Sequence, residues 1–168
     1  MKNNTNLKKW IAVYTKPRYE KIVEKELRDK GFGVYLPMLK EKRRWSDRKK
    51  WVKFPLFKSY IFVQTELKNT LFILKTIGVM RVVKFGREIA VLKDENIRTI
   101  KMMIDNEYSP TPIDYFVKGE LVEVKEGPLK GLRGEVKRID NEYRLLVRVD
   151  AIQHSISIQI DRAFLKHI

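Results

Sequence analysis

The chain has 168 residues, with 36 Lys and Arg against 21 Asp and Glu, a net charge of +15, two His and no Cys. An apolar fraction of 43% supplies a buried core and excludes wholesale disorder, while the missing thiols exclude a disulfide scaffold, a cysteine nucleophile and a sulfur-ligated zinc site. No apolar run approaches the roughly 18–20 residues of a membrane span, and the start MKNNTNLKKW lacks the apolar stretch of a signal peptide, which points to a cytoplasmic protein without membrane attachment.

Residues 1–8 are polar and read as a frayed end. Residues 10–15 (WIAVYT) read as a short buried strand. Pro17 suits the first turn of a helix in which Tyr19, Ile22, Val23 and Leu27 recur at helical spacing, and Gly31 closes it. Residues 34–36 form a second strand stopped by Pro37. Residues 39–53 (LKEKRRWSDRKKWVK) hold eight basic and two acidic residues around the turn pair Ser46-Asp47, a hairpin whose arms project from the sheet. Residues 59–64 (SYIFVQ) are a strong aromatic and β-branched strand. A short helix is expected over 69–77, with Leu71, Leu74 and Ile77 along one side, before Gly78 breaks it. Strands follow at 79–85 and 89–92, and Asp94 is placed to cap a helix in which Ile97, Ile100, Met103 and Ile104 face inward.

Residues 105–116 (DNEYSPTPIDYF) carry Pro110 and Pro112 without periodicity and read as a linker. Beyond it every element is β: Leu121, Val122 and Val124, turns at Gly127-Pro128 and Gly131, Gly134 just before Val136, the run 143–149, and Ile156, Ile158 and Ile160 alternating with Ser157 and Gln159 as a half-buried strand. The expected fold is α+β: an antiparallel sheet with helices, a sandwich, over 9–104, the linker 105–116, and a small SH3-like β-barrel over 117–168.

Charge divides along the same line. Residues 1–104 carry 26 Lys and Arg against 10 Asp and Glu, net +16, and the remainder is net −1. The front part is suited to a polyanion, because each cation that neutralises a phosphate releases a condensed counterion. Within the hairpin, Trp45 and Trp51 flank Arg48, Lys49 and Lys50, with Arg43 and Arg44 just before. Indole rings stack on unpaired bases while the cations hold phosphates; the alternative is a solvated hairpin whose indoles pack on the sheet. Lys16, Arg18, Lys21 and Lys25 gather at the first helix. They suit phosphate at a helix N-terminus, or a merely soluble face in which Glu20 and Glu24 pair with Lys25 and Arg28 about one turn on. Tyr14, Phe57, Tyr60 and Phe62 surround one strand pair; Tyr60 and Phe62 share a face, which is either core or a protein-docking surface. The Gly-rich run 127–134 lacks the Gly-Lys-Ser/Thr signature of a P-loop. His154 and His167 lie in strands with no partner set for a nucleophile or a metal, so neither enzyme chemistry nor a cofactor is expected.

The runs WIAVYTKPRYE at 10–20, YLP at 35–37, PLFKSYIFV at 55–63, GVMRVVKFG at 78–86 and GELVEVKEGPLKGLRGEV at 119–136 together resemble the NusG family of transcription elongation factors, in the family's order of NGN domain, linker and KOW domain. The last run is similar to the KOW motif, with Gly134 at its hallmark glycine. RRWSDRKK followed by PLFKSY resembles the specialised paralogues of the UpxY and RfaH type that act on polysaccharide operons; Lys58-Ser59 stand where the general factor has Pro-Gly. The resemblance implies an NGN domain that docks on the clamp helices of the largest catalytic subunit of bacterial RNA polymerase, holds the clamp closed and suppresses pausing. By motif position, Tyr14, Tyr60, Phe62 and Val82 would form the apolar patch. Lys16, Arg18, Arg43, Arg44, Trp45, Arg48, Lys49 and Lys50 would face non-template DNA or nascent RNA. The KOW domain would recruit a ribosomal protein or Rho, with Ile152 and Gln153 standing where the general factor has Phe-Gly. The expected factor is a monomer. The competing reading of the residues is a free-standing RNA- or DNA-binding module, such as a ribosome-associated factor.

Overall fold

The computed structural model describes residues 7–44, 47–113 and 119–168. The chain divides into two compact units, Met1–Lys93 and Asp94–Ile168.

The first unit runs β1 (Lys9–Thr15), α1 (Glu20–Asp29), β2 (Gly33–Tyr35), β3 (Met38–Arg44), β4 (Lys49–Pro55), β5 (Tyr60–Thr65), α2 (Thr70–Leu74), β6 (Val79–Val82), β7 (Lys84–Phe85), β8 (Glu88–Ile89) and β9 (Val91–Leu92). Its main sheet has the order β2-β5-β1-β6, all antiparallel, and β9 pairs with the N-terminal half of β1. Alternation along β1 and β5 sends Ile11, Val13, Ile61 and Val63 to one face. There they form a core with Val23 and Leu27 of α1, Val34, Leu36, Ile73 and Val82. Each of these buried aliphatic side chains contributes about 1.5–3 kcal/mol by leaving water.

Helix α1 begins at Glu20 rather than at Pro17, because Arg18 takes a left-handed conformation at φ 67°. Its inward stripe is Val23 and Leu27, whereas Ile22 is exposed. Glu24 does pair with Arg28 at 2.9 Å one turn on. Glu20 instead turns inward and accepts the Ser59 N–H at 2.8 Å, fastening the β4–β5 turn to the start of the helix. Gly78 follows α2 at φ 90°, and a Cβ there would lie 2.6 Å from the Tyr19 ring. Only glycine permits both the backbone and the contact.

The short helix α2 leaves most of its apolar residues in solvent. Ile73 is buried, while Leu71, Phe72, Leu74 and Ile77 are all exposed. Among the described residues, β3 and β4 pair only with each other and form a separate ribbon.

The second unit contains α3 (Asp94–Asp105), β10 (Thr111–Ile113), β11 (Glu120–Val124), β12 (Arg133–Ile139), β13 (Glu142–Val149), β14 (His154–Gln159) and β15 (Leu165–His167). Its sheet order is β10-β14-β13-β12-β11-β15. Two features differ from expectation. Helix α3 groups with this unit rather than with the first, and the Asn96 side-chain amide donates to the Arg148 carbonyl on β13 at 3.2 Å. Residues 111–113, expected within the linker, form the strand β10 against β14. Both faces of β14 are buried: Ser155 and Ser157 are covered as fully as Ile156 and Ile158. The Ser157 hydroxyl accepts the Arg144 Nε–H at 2.9 Å, which offsets its loss of water. Gly134 lies where a Cβ would come within 3.0 Å of the Leu146 carbonyl, so β12 and β13 approach closely there.

Candidate functional site

Two surfaces of the first unit hold the residues singled out by sequence. The first is the aromatic face of the main sheet. Tyr14 and Tyr60 are directly opposed across β1 and β5, and their rings meet edge to face at 5.1 Å and 67°. Both are half-buried. The exposed Arg81 on β6 is opposite Tyr14 on the other side, with its guanidinium 5.1 Å from that ring, a contact worth about 0.5–1 kcal/mol at such a site. A bulge in the β1–β6 pairing between Tyr14 and Thr15 leaves Met80 with no residue opposite it, and Met80 is exposed. Bulges re-aim side chains in this way at sheet edges. Two tyrosines and an arginine thus meet on one face of the sheet, next to the bulge that holds Met80.

The other two members expected in this patch are placed differently. Phe62 shares the face of Tyr60 but is 0% exposed, with the Phe57 ring edge-on at 5.9 Å. Val82 is opposite Val13, and therefore points to the helix-covered side, where it belongs to the core. Strand pairing decides both points, and neither is visible in the local sequence. The exposed apolar group on α2 and the following turn was missed because a helix of five residues is too short for its spacing to define an inner face.

The second surface is basic. Arg43, Arg44, Arg48, Lys49 and Lys50 are all exposed on the β3–β4 ribbon or beside its tip. Trp45 and the turn residue Ser46 lie outside the described residues. Trp51 is 64% exposed, so its indole is not packed onto the sheet, and the Lys42 ammonium lies 5.8 Å from the ring centre. Lys16 and Arg18 are exposed in the loop before α1, with Lys16 Nζ 5.9 Å from the Tyr19 ring.

In the second unit the two expected partner-binding residues separate. Ile152 is buried, whereas Gln153 is exposed in a left-handed conformation at φ 51°. Glu135 forms a bidentate pair with Arg148 and accepts the Gly119 N–H at 2.7 Å, a knot across β12, β13 and the start of β11. Among the described residues, no group of three or more His, Asp or Glu is placed to hold a metal, and no helix is long and apolar enough to cross a membrane.

Two family models match successive parts of the chain, the first of them extending into α3. A family model described as transcription termination factor nusG matches residues 8–101, and the KOW motif model matches residues 118–150. The chain is 26% identical to the transcription termination/antitermination protein NusG of Borreliella burgdorferi, over 90% of this chain and 94% of that one. It is 24% identical to the Helicobacter pylori protein of the same name, over 82% and 85%. In fold it is similar to a solved Thermotoga maritima NusG structure, with a TM-score of 0.57, 24% identity, and 96% and 97% of the two chains covered. With more than half of its length matched by the family model, in the order of an N-terminal sheet unit and a KOW unit, the chain belongs to the NusG family of transcription termination and antitermination factors.

Proposed function

We propose that the chain is a non-catalytic elongation and antitermination factor. Its first unit docks on the clamp helices of bacterial RNA polymerase through the corner formed by Tyr14, Tyr60 and Arg81. Its basic side chains meet non-template DNA or nascent RNA, and its second unit engages another protein, such as a ribosomal protein or Rho. The observation that carries the docking is the half-exposed tyrosine pair with the exposed Arg81 guanidinium against the Tyr14 ring. Aromatic and arginine side chains dominate interface energies. Charge supports the division of labour: residues 1–93 are net +16 and residues 94–168 net −1. Lys58-Ser59, in place of the general factor's Pro-Gly, supports an operon-specific role.

Tyr60→Ala in the full chain tests the docking. The expected result is a polymerase affinity lower by about 30-fold, the scale of a hot-spot aromatic, and loss of pause suppression in a purified transcription assay. An unchanged pull-down with purified polymerase overturns the docking assignment. The uncovered basic ribbon favours one second reading, a free-standing nucleic-acid-binding module. It requires tight, steeply salt-dependent binding to nucleic acid and no effect on purified polymerase.

A further inference from the structure

The ribbon formed by β3 and β4 has two unlike faces, and we propose that the face carrying Trp51 is the surface that takes an unpaired nucleic-acid strand. The pairing register sets the faces. Lys40 is opposite Lys53, Lys42 opposite Trp51, and Arg44 opposite Lys49. Successive rungs on one face are two residues apart, so these three pairs lie together. That face has five cations, one indole and no acid. The intervening pairs are Leu39 with Phe54, Glu41 with Val52, and Arg43 with Lys50. This second face is apolar at its base and carries the ribbon's one described strand carboxylate. There Glu41 pairs with Arg43 at 3.1 Å, and the same guanidinium lies 5.8 Å from the Phe54 ring. One of the two cations on that face is thus already engaged. On the Trp51 face, no cation is paired with a carboxylate among the described residues.

Geometry and charge select the ligand. A row of cations alone suits any polyanion, a duplex included. An exposed indole between cationic rungs adds something a duplex cannot use, because its base faces are hidden in the stack. An unpaired strand offers both phosphates to the lysines and a base to the ring, and the contact tolerates any sequence because every base has a π face. The neighbouring rungs, Lys40 with Lys53 below and Arg44 with Lys49 above, flank the stacked base along the strand direction. The surface is distinct from the loop holding Lys16 and Arg18, and it assigns Lys40, Lys42, Trp51 and Lys53 a role that the cluster of Arg43 and Lys50 does not share.

This inference rests on the nucleic-acid half of the function proposed above and is independent of polymerase docking. The test is fluorescence anisotropy of the full chain against short labelled oligo-dT, oligo-U and a blunt duplex, across a salt series. The expected result is binding to single strands, with the tighter of the two naming the natural source. Trp51→Ala weakens it by about tenfold and Trp51→Phe restores most of the loss. Lys42→Gln with Lys53→Gln flattens the salt slope by about 1.4, and Arg43→Gln with Lys50→Gln flattens it by much less. All these positions are exposed or at the edge of the ribbon, so the variants keep the fold. Equal losses from the two double variants, an unaffected Trp51→Ala protein, or a preference for duplex overturns the face assignment while leaving nucleic-acid binding in place. No binding to any of the three probes overturns both, and polymerase pull-down in parallel shows whether docking survives.

Discussion

On one face of the first unit's sheet, Ile11, Val13, Ile61, Val63 and Val82 are buried with α1; on the other, Tyr14 and Tyr60 stay half exposed beside Arg81. The same strands supply both sets, one residue out of phase. The lesson is that side-chain type does not separate core from contact surface here. Phe62 lies on the aromatic face yet has no exposed area, while Met80 and Ile77 are as apolar as any core residue and are exposed. Position in the pairing register, and what lies across it, decides which aromatic holds the fold and which is free to meet a partner.

The sharpest way to break this comparison is Phe62→Ala. If Phe62 belongs energetically with the core, the substitution costs about 3–5 kcal/mol in urea unfolding, and any loss of polymerase binding follows from unfolding. A cost below about 1 kcal/mol, with binding lost, would return Phe62 to the docking surface beside Tyr60.

Glu20→Ala has the next largest expected effect. It removes the carboxylate that accepts the Ser59 N–H in a buried setting, at about 2 kcal/mol. Ser59 directly precedes Tyr60, so loosening the turn also weakens the presentation of the tyrosine pair. Glu20→Gln keeps an oxygen acceptor and is expected to cost less than Glu20→Ala. Equal losses for the two would mean that the hydrogen bond is not what holds the turn.

The strands β1 and β5, the period of α1 and the projecting ribbon were all legible, because each is fixed by local alternation, spacing or turn chemistry. What escaped was non-local. Val82 reads like any strand valine until the bulged pairing places it opposite Val13. Leu71, Leu74 and Ile77 line one side of a helix expected over 69–77, but the α-helix ends at Leu74 and Ile73, off that line, takes the buried position. Ser157 looks like the wet side of a half-buried strand, yet it is buried, with its hydroxyl against Arg144 of β13 and Thr111 of β10, a strand hidden in a Pro-rich stretch. The same limit applied to the site. The positive charge of the ribbon is plain in its sequence, whereas the separation of its two faces needs the register that sets Lys42 opposite Trp51.

The smallest effect expected is a gain. The Tyr60 N–H donates to the Phe57 carbonyl at 3.2 Å, closing a four-residue turn in which Ser59 takes φ 63°. Positive φ at the third position is where glycine is favoured, with proline favoured before it, and the general factors of the resemblance carry Pro-Gly at these two positions. A left-handed conformation costs a non-glycine residue about 1–2 kcal/mol. Glycine gives back about 0.5–1 kcal/mol of that through its freer unfolded chain, so Ser59→Gly is expected to stabilise the unit by about 0.5 kcal/mol. A shift in the urea midpoint at constant slope reads that gain. The Glu20 bond survives, since it uses only the backbone N–H, and polymerase binding through Tyr60 is unchanged. A loss of stability on Ser59→Gly would mean that the serine side chain contributes more to the turn than its backbone strain takes away, and that the strained turn is not the weak point beside the tyrosine corner.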